Sequence, residues 1–194
     1  MTLLIIGLAL FLITHGVRIY ADGFRSAMIA RLGLLGWKGV YSAVSLAGLI
    51  LIVSGYALAR QSPVELWRSA AWISHPVALL MAASFVLVVA AYIPRNHLRV
   101  KIGHPMVVGV KVWAFAHLLA NGNLADVLLF GTILIWAVLS FRAARMRDRT
   151  SPKAAVKPSL AMTILTFTLG IAAWIWFVFH GHAWLIGVRP LVMG

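Results

Sequence analysis

The chain has 194 residues, 62% of them hydrophobic and only 11% charged, with a net charge of +13 and a mean hydropathy of +0.97. Too little polar side chain remains to cover a soluble fold, so the composition specifies an integral membrane protein and leaves no room for a second, soluble domain. Cysteine is absent; this excludes disulfides, thiolate zinc sites, cysteine-ligated iron–sulfur clusters, a cysteine nucleophile and covalently attached c-type haem, and leaves histidine as the leading soft-metal ligand.

A bilayer core takes about 20 apolar residues per helix. Six runs of that order predict an all-α, polytopic transmembrane helical bundle forming one integral membrane domain over residues 1–194. The first, Thr2–Val17, is apolar apart from Thr14 and His15 and ends at Arg18. It lacks a positive n-region and a small-residue cleavage site, so it reads as an anchor rather than a removable signal. A loop, Arg18–Lys38, with Gly33 and Gly36, closes on the interfacial pair Trp37-Lys38. The second run, Gly39–Ala59, carries Gly48 and Gly55 with Ser42, Ser45 and Ser54, small residues that let membrane helices approach closely. After the Arg60–Ala70 loop, which contains Glu65, the third run Ala71–Ile93 opens at Trp72 and His75-Pro76 and stops at Pro94.

The Pro94–His104 loop leads to the fourth and shortest run, Pro105–Leu119, with Gly109, Lys111, Trp113 and His117. It ends in the tight turn Asn121-Gly122-Asn123. Asp126 falls at the outer end of the fifth run, Leu124–Phe141. With four acids in the whole chain, no buried carboxylate is expected, and proton coupling in a transporter is disfavoured. The basic stretch Arg142–Pro158, with Pro152 and Pro158 as breakers, reads as a solvated loop. The sixth run, Ser159–Phe179, is followed by His180-Gly181-His182 and a short tail.

Thirteen Lys and Arg fall in the loops Arg18–Lys38, Pro94–His104 and Arg142–Pro158, against three in Arg60–Ala70 and the C-terminal tail. That asymmetry puts the three basic loops in the cytoplasm and both termini outside it, with Lys111 snorkelling to the inner face. Trp67, Trp72, Trp174, Trp176 and Trp184 form an outer aromatic belt. The positive charge serves orientation and anionic lipid, so the partner read from it is the lipid bilayer and not nucleic acid.

Of the seven histidines, His97 and His104 fall at the inner edge, His75, His180 and His182 at the outer edge, and His15 and His117 within the core. The edge histidines read as boundary residues, and His180-Gly181-His182 has no neighbouring carboxylate to complete a metal site. Two readings stand for the core pair. One is a hydrogen bond to another helix, worth about 1 kcal/mol. The other is axial ligation of a haem b by two imidazoles. Gly16 beside His15, and Ala114, Ala116 and Ala120 around His117, leave room for a flat macrocycle. Gly109, Trp113 and His117 share a helix face at four-residue spacing, although Trp113 is equally readable as packing. Arg18 and the basic loops are placed to neutralise propionates. The candidate cofactor-binding residues are therefore His15, His117, Trp113, Gly109 and Arg18, with His15 and His117 as the metal ligands. Counting along each helix, the two histidines differ in depth by roughly 8 Å. Their side chains lean toward their own helix N-termini, which closes part of that gap.

The stretch GHPMVVGVKVWAFAHLLANGNLADVLLFGTILIWAVLSFRAAR, residues 103–145, with its His-Pro…Trp-x-x-x-His spacing, resembles the NnrU family, as does the early His15-Gly16. The resemblance runs through nearly the whole chain. It implies a polytopic protein of the bacterial inner membrane linked to denitrification, that is, to nitrite or nitric oxide reduction. A related branch, the plant and cyanobacterial 15-cis-ζ-carotene isomerase, is a haem b enzyme whose reduced haem exchanges an axial ligand, and its two ligand histidines match His15 and His117. The resemblance thus implies haem b, a redox-gated isomerase-like activity, and a polyene or a small gas as ligand. An alternative from a different class is a non-catalytic assembly or maturation factor for a denitrification reductase. Membrane S-adenosylmethionine-dependent methyltransferases carry Arg-His-Pro-x-Tyr-x-Gly, where this chain reads Gly103-His104-Pro105-Met106-Val107-Val108-Gly109. The replaced arginine and tyrosine argue against methyl transfer.

Overall fold

The computed structural model describes residues 1–151 and 156–190. The described residues are overwhelmingly helical: α1 (Thr2–Tyr20), α2 (Asp22–Ala59), α3 (Ser74–Tyr92, entered through a 3-10 turn at Ala71–Ile73), α4 (His97–Ile102), α5 (Pro105–Ala120), α6 (Leu124–Thr150) and α7 (Leu160–Ile186). Five of these, α1, α2, Ala71–Tyr92, α6 and α7, are long and apolar enough to cross a membrane, and α5 is a shorter apolar helix of 16 residues. The all-α membrane architecture expected from composition is therefore what the chain forms. Large apolar side chains such as Ile13, Leu79, Ile135 and Ile164 face outward along these helices, a pattern that hydrocarbon tolerates and water does not. Two turns are π-helical, Val127–Gly131 within α6 and Phe177–Gly181 within α7.

Four segments read as loops or tail contain helix instead. Within Arg18–Lys38, helix resumes at Asp22, because Ala27, Met28 and Arg31 are good helix formers. The interruption is confined to Gly33, at φ 70° and ψ 167°. Pro94–His104 contains α4, whose N-cap Asn96 accepts from the Arg99 amide at 2.7 Å. Arg142–Pro158 is helical through Thr150, since Ala, Arg and Met sustain the helix beyond the apolar run; Pro152 and Lys153 lie outside the described residues. His180-Gly181-His182 is not a post-helical tail: α7 continues through it to Ile186.

The chain forms two compact units. The first comprises Met1–Arg68 and Asn121–Ala143, the second Ser69–Ala120 and the chain from Ala144. In the first unit α1 and α2 run antiparallel: Leu4 packs at Gly55, Ile52 at Gly7 and Phe11 at Gly48. A Cβ on Gly7 would stand 2.6 Å from the Ile52 amide nitrogen, so only glycine permits this approach. The exit of α2 is tied to the entry of α6. Leu66 and Trp67 amides donate to the Gly122 carbonyl at 2.8 and 3.2 Å, and the Leu124 amide to Val64 at 2.8 Å.

In the second unit α3 packs against both α5 and α7. Ser84, buried, donates to the Gly109 carbonyl at 2.9 Å, and Gly170 of α7 lies against Val86. Asn96 is completely buried; its amide group donates to Ala90 and Ile93 carbonyls at 2.9 and 2.6 Å, so its burial leaves the polar group satisfied.

Candidate functional site

His15 belongs to the first unit, two-thirds of the way along α1. Its Nδ1 lies 2.8 Å from the Phe11 carbonyl. A carbonyl only accepts, so Nδ1 carries the proton and the neutral ring bears its lone pair on Nε2. The i–4 spacing on a helix makes this bond possible without any residue from elsewhere. The imidazole stacks on Phe11, with centroids 4.0 Å apart and planes at 24°, and is flanked by Tyr41 at 5.2 Å. Trp136 of α6 meets it edge-on, 5.8 Å away at 87°. The Trp136 indole Nε1 is buried and has no hydrogen-bond partner. Arg18 is exposed in the last turn of α1, one turn beyond His15.

His117 belongs to the second unit, near the end of α5. It repeats the same device, with Nδ1 donating to the Trp113 carbonyl at 2.9 Å. The Trp113 ring sits 4.9 Å from the imidazole at 48°. Ala114 and Ala116 are fully buried around it. Gly109, two turns earlier, is buried where α5 meets α3, and an added Cβ would come within 3.0 Å of Val88. Trp113 and His117 therefore lie together on α5, and Gly109 supports that helix against its neighbour.

The edge histidines take structural partners where contacts are seen. His104 Nε2 donates to Asp148 Oδ2 at 2.7 Å, joining the start of α5 to the far end of α6 within the second unit. His97 packs on Thr163, whose hydroxyl donates to the Ser159 carbonyl at 2.9 Å and so receives the His97 Nδ1 proton at 2.7 Å. His182 donates from Nδ1 to the Val188 carbonyl at 2.6 Å. His75 and His180 are exposed. Among the described residues no group of three or more His, Cys, Asp or Glu is assembled that could hold a metal ion. Haem makes a different demand: imidazole lone pairs, apolar walls and a donor for its acidic edge. The chain's residues fit that demand, with a lone-pair nitrogen set at His15 and at His117, and an unsatisfied indole beside the first.

One expectation fails. A carboxylate is buried: Asp126 is 3% exposed, and it is held by the Tyr56 hydroxyl and by the backbone and side-chain nitrogens of Asn123. Tyr41, Trp136, Tyr56 and Asp148 were not singled out by sequence reasoning. Only Trp136 could have been weighted, as a tryptophan in mid-span rather than at a boundary.

A family model described as NnrU protein matches residues 3–190. No curated protein and no solved structure matches the chain.

Proposed function

The chain belongs to the NnrU family, and we propose that it is a haem b-binding protein of the bacterial inner membrane, multi-pass, with both termini periplasmic and a role linked to denitrification. The ligands in this reading are the imidazoles of His15 and His117. The observation that carries it is the shared Nδ1–H bond to the carbonyl one turn earlier, Phe11 for His15 and Trp113 for His117. Metal-bound histidines characteristically give their second ring proton to a carbonyl or carboxylate, which fixes the tautomer and raises the basicity of the ligating nitrogen. With Nδ1–H committed to a backbone carbonyl, the nitrogen left to meet iron on each ring is Nε2.

When bound, a haem would supply one-electron iron chemistry suited to a small gas such as nitric oxide or to a polyene. The chain's own contribution is to orient two imidazoles, to wall them with Phe11, Tyr41 and Trp113, and to offer Arg18 at the end of α1 for the acidic edge. The basic inner segments support the orientation given above.

Detergent-purified protein is expected to show a Soret band that shifts on reduction. His15→Ala and His117→Ala should each lose it or shift it strongly. Normal haem content and an unchanged spectrum in both variants would overturn the ligand assignment. Conversion of an added cis-polyene under reducing conditions separates an isomerase-like role from assembly of a partner reductase, in which this chain turns nothing over alone.

A further inference from the structure

We infer that Trp136 is a haem-orienting residue, its indole N–H donating to a propionate carboxylate of the haem held at His15. This rests on the haem reading and extends it to a residue with no place in the ligand set. An indole has one polar function, an N–H that donates and cannot accept. In Trp136 that donor is buried and has no partner, a state that a water, an ion or a ligand ordinarily accounts for. The ring is edge-on to His15, centroid to centroid 5.8 Å, and both residues lie in the same compact unit. A ligand on His15 Nε2 would lie beside the Trp136 ring, and one that brings an acceptor can satisfy the indole donor.

Haem b carries one kind of strong peripheral acceptor, the carboxylates of its two propionates. Its vinyl and methyl edges have none, and its four pyrrole nitrogens are committed to iron. A charge-assisted bond from a buried indole to a carboxylate discriminates well, because a rotated haem would leave the donor facing hydrocarbon. Arg18, one turn along α1, supplies the positive charge that the carboxylates require. The indole supplies direction. Trp174 Nε1, in the second unit, is also buried without a partner, and it provides an internal comparison.

The test is titration of the haem-depleted, detergent-purified full chain with haem b and with its dimethyl ester, followed by the Soret band. Wild-type protein should bind the free acid at least about tenfold more tightly than the ester. Trp136→Phe should bind haem b about tenfold more weakly and lose much of that preference, with its histidine-ligated spectrum retained. Trp174→Phe should keep the preference. If Trp136→Phe does not fold, Arg18→Gln decides the matter: Trp136 remains in it, so a residual preference for the acid should persist. Four outcomes overturn the assignment: a wild type indifferent to esterification, a Trp136→Phe protein with wild-type affinity and preference, loss of the preference in Trp174→Phe, or complete loss of it in Arg18→Gln. Wild-type protein that gives no Soret band with either compound instead brings down the haem reading itself.

Discussion

The Tyr56 hydroxyl donates to Asp126 Oδ1 at 2.5 Å, joining two residues 70 positions apart in the chain. The other carboxyl oxygen accepts two bonds of 3.0 Å from Asn123, one from its backbone and one from its side chain. Three donors thus converge on one buried group, and the end of α2 is locked to the first turn of α6. Tyr56→Phe removes one donor and should cost about 1.5–3 kcal/mol. Asp126→Ala strands all three and should cost more. Thermal unfolding in detergent checks the ranking, and equal stability of the three proteins would contradict it.

The α1–α2 crossing gives a second stability prediction. A Cβ at Gly55 would overlap the Leu4 backbone. Gly55→Ala must therefore force the helices apart, at about 1–3 kcal/mol. Gly39, on the same helix, has nothing within 4 Å of such a Cβ. Gly39→Ala is expected to be neutral or to stabilise by up to about 1 kcal/mol. The same unfolding assay reads both variants.

The natural absence of cysteine makes the orientation directly measurable. Single cysteines at Ser26 and at Ser62 bracket the spanning part of α2. In intact cells an impermeant maleimide should label the Ser62→Cys protein and reach the Ser26→Cys protein only after permeabilisation. The reverse pattern would invert the proposed topology.

His104 and Asp148, 2.7 Å apart and about three-quarters buried, tie the start of α5 to the end of α6. His104→Ala should leave the spans intact and speed hydrogen exchange of the amides around 145–150. Loss of a partly exposed pair is expected to cost about 1 kcal/mol. Unchanged exchange would show that the extension of α6 holds without this bond.

The apolar runs were legible because hydrocarbon imposes a length and a composition that sequence displays directly. Pro94 and the Asn121-Gly122-Asn123 turn punctuated them where expected. Charge misled at the edges: arginine-rich segments such as 142–150 look like solvated loops, yet arginine and alanine favour helix. Only at Gly33 does the α2 backbone break. His15 and His117 stood out because polar rings in apolar runs are rare. Their carbonyl bonds follow from i–4 spacing and were implicit in the helices. Trp136 against His15, Tyr56 against Asp126 and His104 against Asp148 could not be read. Each joins residues brought together by tertiary packing, which no local periodicity encodes.

The π turn at Val127–Gly131 separates two fixed points on α6, Asp126 bound to Tyr56 on one side and Trp136 beside His15 on the other. An ordinary helix advances about 100° per residue, whereas a π turn with its i→i+5 bonds winds less per residue, so closing that turn to α-helix without removing a residue would rotate the indole away from the imidazole while Asp126 stayed put. The wide turn is thus a phase adjuster: it lets one rigid rod serve a lock at its mouth and a ring in its interior, two angular settings that an unbroken α-helical repeat would not reconcile.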